Sequence, residues 1–153
     1  MNGLIIRKAV IDDLETLLTF EQGVISFERS FDETLDNDPI SYYDIGKMIQ
    51  SPEVEVMVAE INNELVGSGY ARIEEPKPYL KHSKFAYLGF MYVKPEFRGE
   101  GINKILIDKL LEWISSMGIE EVRLDVYSEN SGAIKAYEKA GFTPLLLNMR
   151  MSI

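Results

Sequence analysis

Met91-Tyr92-Val93-Lys94-Pro95-Glu96-Phe97-Arg98-Gly99-Glu100-Gly101-Ile102-Asn103-Lys104 is the stretch on which the fold turns. Strand-forming residues run into Pro95, and a Gly-rich turn follows. From Gly101 the residues Ile102, Ile105, Leu106, Leu110, Trp113, Ile114 and Met117 recur at helical spacing, up to a C-terminal cap at Gly118. Upstream, Phe85 to Val93 reads as one long strand, and Gly89 at its middle marks a bulge or a close backbone approach. Downstream, Val122, Leu124 and Val126 alternate as a strand. Strand, helix and strand in that order demand a parallel pair joined by a crossover.

Around this unit the chain reads as β-α-α-β-β-β-α-β-α-β. Leu4–Ala9 is a first strand. Asp12, with Glu15 three residues on, offers a capping box for a helix to about Phe27. Residues 28–40 form an acidic loop, and Ser41 caps a short second helix through Met48 and Ile49. Val54, Val56 and Val58 open a strand, Asn62-Asn63 is a tight hairpin turn, and Leu65 to Ile73 returns. Asn130 to Ala140 is a helix ending at Gly141, and from Phe142 onward the chain reads as strand. The expected fold is a mixed α/β sheet, mostly antiparallel, with flanking helices and one parallel pair.

Length and composition set the outer limits. A chain of 153 residues points to one domain, 1–153, with a core that needs no covalent staple. There is no Cys and one His, which excludes disulfides, thiolate nucleophiles and His-rich metal sites; no metal is expected. No apolar run is long enough to span a bilayer, and the first residues do not resemble a secretory leader, so the expected location is cytoplasmic and away from membranes. The net charge of −9 disfavours nucleic acid as a partner. The charge is lopsided, about −11 over residues 1–76 and +2 over 77–153. Either the acidic half is a solvated face, or the two halves meet ligands of opposite sign.

A strand–turn–helix junction is also a chemical feature. The first N–H groups of a helix lack partners and carry partial positive charge, and glycines let that backbone approach a phosphate. The turn at 98–104 suits a pyrophosphate, or it is a turn with no ligand. Two phosphate motifs fail: Gly101 is not followed by Lys-Ser/Thr, and position 104 is Lys rather than a third dinucleotide-fingerprint Gly.

Arg98-Gly99-Glu100-Gly101-Ile102-Asn103 resembles the Arg/Gln-x-x-Gly-x-Gly/Ala acyl-CoA loop of the GNAT superfamily of N-acetyltransferases. Leu124-Asp125-Val126-Tyr127-Ser128-Glu129-Asn130, with Ala133, Tyr137 and Gly141-Phe142, resembles that family's second block, and Ile6-Arg7-x-Ala9 before Asp12-Asp13 resembles its first strand. Residues 28–52 and 76–84 carry no family signature. Asn103 stands where the family has Gly or Ala; it either crowds the phosphates or donates a hydrogen bond to them.

The resemblance implies acetyl-CoA as co-substrate. Its pantetheine would pair with backbone near Met91 and Val93, and its pyrophosphate would rest on N–H groups of Arg98, Gly99, Glu100, Gly101, Ile102, Asn103 and Lys104. Asn130 would help hold the CoA arm, and Tyr137 would protonate the leaving thiolate. The acceptor amine needs deprotonation, because an alkylamine of pKa ~10.4 is neutral in about one molecule in 2,500 at pH 7. The strand at 85–93 offers no carboxylate. Asp125 is the first candidate base, with Glu28, Glu74, Glu75, His82 or a water chain as alternatives.

The implied activity is acetyl transfer to a primary amine by direct attack. The rivals are a non-catalytic acyl-CoA sensor and an enzyme acting on protein N-terminal or lysine amines. The expected acceptor is a small cationic amine, drawn by the carboxylates of residues 28–44 and met by Glu28, Tyr42, Tyr70, Tyr79 and His82. A homodimer is compatible with this reading.

Overall fold

The computed structural model describes residues 2–153. Five strands form one sheet in the order β1 (Leu4–Lys8), β2 (Val54–Ile61), β3 (Glu64–Glu74), β4 (Phe85–Val93) and β5 (Val122–Arg123). The first four are antiparallel to their neighbours, and β4 and β5 run parallel. Helices α1 (Leu14–Glu28) and α2 (Ile45–Gln50) cover one face, where Leu17, Phe20, Ile45 and Ile49 pack on Val56, Val58, Tyr70 and Phe90. The other face is covered by α3 (Ile102–Ser116), whose Leu106, Leu110 and Ile114 meet Val66, Val93, Ala71, Ala86 and Leu88. Helix α4 (Ser131–Lys139) follows β5. This is the mixed, mostly antiparallel sheet that the pattern of elements implies.

The β2–β3 hairpin turns at Asn62 and Asn63, both in the left-handed region at φ of 50° and 64°, as the Asn-Asn pair predicts. Gly89 does take a close approach: a Cβ there would stand 2.5 Å from the Tyr70 ring. Beside it β4 carries an extra residue against β3, since Ser68 pairs with Tyr92 but Tyr70 pairs with Gly89. Phe90 sits in this bulge at φ 55°, an uncommon conformation for a bulky residue, and the buried Ser68 hydroxyl donates to its carbonyl at 3.1 Å. A bulge bends its strand. Accordingly β4 pairs with β5 only through Ala86–Val122 and Tyr87–Arg123, and the two then part.

Four expectations from sequence are corrected. The first helix is not capped by Asp12. A 3-10 turn, Ile11–Asp13, intervenes, and the Asp13 carboxylate accepts from the Val10 N–H at 2.8 Å and from Arg7 at 2.8 and 2.9 Å. The second helix is capped by Asp44, which accepts from the Lys47 N–H, and not by Ser41. The alternating Val122-Leu124-Val126 is strand only to Arg123, because β4 has bent away and no other strand replaces it. No strand forms after Phe142, since residues 143–153 meet no sheet edge.

Candidate functional site

Because β4 and β5 are parallel, the segments that follow them leave from the same edge of the sheet, where the strands diverge. One is the loop 94–104 and the start of α3; the other is residues 124–137. Gly99 and Gly101 adopt φ of 81° and 83°, which an L side chain enters at a cost of about 1–2 kcal/mol. A Cβ on either would meet no atom within 4 Å, so the space over the helix start is open. No side chain caps α3 there, which leaves its first N–H groups directed outward. Ile102 is buried, so it offers this space only its main chain.

The side chains of the loop are partly committed. Arg98 donates from Nε to the Val93 carbonyl at 2.8 Å and lies over the Tyr92 ring, with its guanidinium carbon 5.8 Å from the centroid. Among the described residues no carboxylate pairs with Arg98. Its contact with Val93 occupies one backbone acceptor expected to be open. Lys104 turns down the helix to Asp108 at 2.6 Å. Glu100 is exposed, Asn103 and Met91 are half-buried, and Val93 is buried. Asn130 caps α4, accepting from the Ala133 N–H at 3.3 Å, so its carbonyl oxygen is used within its own helix.

Beyond β5 one carboxylate stands among tyrosines. Glu28 ends α1, and desolvation raises its pKa above the usual glutamate value, partly offset by Tyr42. Burial likewise pushes up the hydroxyls of Tyr42, Tyr43, Tyr127 and Tyr137, and the nearby Glu28 charge raises all four further. The Tyr42 hydroxyl is buried beside Glu28, yet no acceptor meets it in full hydrogen-bond geometry. Tyr137 packs edge-on against Phe142, with centroids 6.1 Å apart.

Among the remaining candidates, Asp125 lies in the segment after β5, and the others are buried, paired or distant. Asp125 is exposed and accepts from the Tyr87 hydroxyl at 3.3 Å. Tyr70 is a core residue at 2% exposure, and the cation over its ring is Arg72 at 5.6 Å. Tyr79 is exposed and faces Lys77. His82 sits where β4 begins, away from the divergence; its ring meets Phe85, and its Nε2 lies 3.1 Å from Arg123. A guanidinium only donates, so that nitrogen accepts and Nδ1 donates to the Ser83 carbonyl at 2.9 Å. Glu74 is paired with Arg72, and Glu75 with Lys84. Much of the acid in 28–44 is also engaged: Asp32 by Thr34 and Arg150, Asp38 by Arg29, and Asp44 by its helix.

Two elements of this site escape a reading of the sequence. Tyr127 stacks on Phe31 at 5.7 Å and donates to Asp32 at 3.3 Å, tying the acidic loop to the segment after β5. Glu21 is 1% exposed, and its Oε2 accepts from the N–H groups of Tyr42 and Tyr43 at 2.9 and 2.8 Å, which fixes the Tyr42 loop on α1. Its signal is present in the sequence: it lies four residues after Leu17 and four before Ile25, on the apolar face of the helix. Glu21→Ala strands two N–H groups and is expected to lower stability by about 3 kcal/mol, whereas Glu21→Gln retains an acceptor and loses less than half of that. Urea unfolding checks both; equal losses would show that the negative charge, and not the presence of an acceptor, holds the loop.

The model of the acetyltransferase (GNAT) family matches residues 14–142. An acetyltransferase of Pectobacterium atrosepticum is 34% identical over 103 residues, 67% of this chain and 66% of that protein. The chain thus spans less than two thirds of the length of the curated relatives it matches. Among solved structures, a mutant of a Bacillus halodurans protein superposes with a TM-score of 0.88 at 19% identity, covering 97% of this chain and 99% of the other. An aminoglycoside N-acetyltransferase in complex with CoA gives 0.73 at 20% identity, covering 97% and 100%. With the family model spanning the loop 94–104, both parting strands and α4, the chain belongs to the GNAT acetyltransferase family.

Proposed function

We propose that this protein is an acetyl-CoA-dependent N-acetyltransferase that acts on the primary amine of a small cationic acceptor. The observation that carries the reading is that an uncapped helix start beside two left-handed glycines follows β4, that the segment bearing Tyr137 follows the parallel β5, and that the Glu28 charge is near enough to raise the Tyr137 hydroxyl. The open N–H groups of residues 101–104 fit a pyrophosphate, and each bond to a charged oxygen is worth about 1.5–3 kcal/mol. Acetyl-CoA would supply an activated acetyl thioester.

This chain's residues would do the rest. Gly99 and Gly101 admit the phosphates, and Arg98, anchored on Val93, shapes the turn. The Tyr137 hydroxyl keeps its proton at neutral pH and holds it for a departing thiolate. Glu28 and the tyrosine rings suit an ammonium group, by charge pairing and cation–π contact. Glu28 then accepts the proton that the amine must lose. Its raised pKa makes it a better base than an exposed carboxylate, and so favours it over Asp125.

The sign of the pH dependence follows. A base acts only when deprotonated, so activity falls as the pH drops through the raised pKa of Glu28. Glu28→Gln is expected to flatten that acidic limb and lower turnover, while Asp125→Asn leaves the limb in place. The opposite pattern in the pH–rate profile assigns the base to Asp125, and no change in either variant assigns the proton to water.

The acceptor class is tested by kcat/KM for a polyamine, an aminoglycoside, an amino-acid amide and an acidic amino acid, at low and high salt, scored by thiol release. Cationic amines are expected to lead, with rates that fall as salt screens the acidic loop. Preference for the acidic acceptor, or no salt response, defeats the cation assignment. Binding of acetyl-CoA with no thiol release for any amine supports the sensor reading instead.

A further inference from the structure

Two acids on α1, Glu21 and Glu28, stand seven residues apart, so they share one face of the helix two turns from each other. Tyr42 answers to both. Glu21 holds its main-chain N–H at 2.9 Å, and the Gln22 amide donates to the Ile40 carbonyl at 3.0 Å, so the loop before α2 is stapled to α1 on either side of Ser41. The Tyr42 ring stands edge-on to Tyr43 at 5.7 Å, and Tyr43 in turn packs on Tyr70 and Phe90. Backbone and ring are thereby fixed, and the hydroxyl is buried beside Glu28 without a hydrogen bond in full geometry. A buried hydroxyl without a partner is costly. The last torsion of a glutamate is broad, so a small turn of the carboxylate completes this bond.

Among the described residues no cation pairs with Glu28. Arg29, the next residue, is turned to the Asp36 carbonyl and the Asp38 carboxylate, both at 2.7 Å, and Arg150 is held by Asp32. The other groups that face Glu28 are Tyr43 from the same loop, Tyr127 from the segment after β5 and Tyr137 from α4, all neutral phenols. The Tyr127 hydroxyl is spent on Asp32, at 3.3 Å.

We propose that Tyr42 is a positioning residue for Glu28: its hydroxyl donates to the ionised carboxylate and, once Glu28 has taken the amine proton, accepts from the carboxylic acid. The inference rests on the reading of Glu28 as the base. In that step the amine N–H bond breaks, its electron pair stays on nitrogen, and the proton forms an O–H bond on Glu28. The phenol turns about its C–O bond and keeps its own proton, which burial and the Glu28 charge hold on it. A hydroxyl serves both states of the acid, whereas an arginine or a main-chain N–H can only donate. The bond to the ionised form is the stronger of the two. Tyr42 therefore opposes the desolvation that raises the Glu28 pKa, and keeps a larger fraction of the base ionised.

The test compares the wild type with Tyr42→Phe, which keeps the ring and removes only the hydroxyl. The first readout needs no substrate. The carboxyl carbon of Glu28, assigned by its loss in Glu28→Gln, is titrated by carbon NMR in the full chain. Its midpoint is expected to move up by about one pH unit in Tyr42→Phe, a roughly tenfold change in ionisation. Tyr127→Phe, which removes a hydroxyl bound to Asp32, is expected to leave the midpoint in place. With a cationic amine as acceptor, the acidic limb of kcat/KM should move with the midpoint, the rate should recover above the limb, and the KM for acetyl-CoA should not change. A merely structural loss would lower the rate at every pH. In the Glu28→Gln background, Tyr42→Phe should have no further effect on the rate. An unmoved midpoint in Tyr42→Phe, or an equal shift in Tyr127→Phe, overturns the proposal even where Glu28→Gln flattens the limb. A midpoint that moves while the limb ignores both Glu28→Gln and Tyr42→Phe supports the pairing and overturns the reading of Glu28 as the base.

Discussion

Gly101→Asp is expected to remove the stabilisation that acetyl-CoA gives the wild type. At a ligand concentration of 100 Kd, linkage stabilises a one-site protein by about 2.7 kcal/mol, which for a chain of this length is a shift in Tm of roughly 5–10 °C. The substitution acts in two ways. It forces a Cβ into φ of 83°, which costs about 1–2 kcal/mol of folding stability and lowers the Tm without ligand. It also places a carboxylate in the open space over the α3 N-terminus, where a pyrophosphate would sit, and the two anions repel. Gly101→Asn separates the two, since Asn tolerates the left-handed region and carries no charge. The Asn variant should keep part of the ligand shift, and the Asp variant none of it. An Asp variant that shifts as the wild type does would remove the phosphate cradle from this account.

Tyr137→Phe is expected to lower kcat by about 100-fold, with the acetyl-CoA thermal shift unchanged. The ring and its edge contact with Phe142 remain, and only the hydroxyl is lost. The size of the effect is limited by the proton's own energetics. A phenol of pKa 10 or above gives its proton to a thiolate of reference pKa 8.5 only uphill, by about 2 kcal/mol at reference values. Burial and the Glu28 charge raise the hydroxyl further, which secures the proton on Tyr137 but makes the transfer steeper. General-acid help therefore stands at the low end of its usual range. Single-turnover rates with a fixed amine decide the point. A loss within a factor of two would show that the thiolate leaves unaided.

How far the sequence carried the fold is clear from single elements. The Asn62-Asn63 turn, the long β4, the helix from Ile102 and the helix ending at Gly141 were legible because each is set by local chemistry: a backbone angle or a period. The same locality made the Gly99–Gly101 turn readable as a helix start open to an anion. The shift from Asp12 to Asp13 was not legible, because Arg7 of the neighbouring strand chooses between two adjacent carboxylates. The missing end of β5 and the unformed last strand have a similar origin. Their residues alternate as strands do, but a strand exists only where a partner edge is within reach, and the Phe90 bulge had turned β4 away.

For the site, sequence determined which residue types are available, and tertiary structure decided which of them share one place. The sequence put Asp125 first as proton acceptor and left Glu28, Glu74, Glu75 and His82 as alternatives. Packing separates them. Glu74 and Glu75 are paired with cations, His82 is held at the far end of β4, Asp125 is open to solvent, and Glu28 alone is desolvated beside Tyr137. Tyr70 and Tyr42 looked alike as aromatic partners for a cation until the core took the first and Glu21 fixed the second beside Glu28. The physical reason is range. A backbone angle or a helix cap is settled within a few residues, whereas the desolvation that tunes a carboxylate depends on side chains that arrive from α1, the 41–44 loop, the segment after β5 and α4, up to about a hundred residues apart.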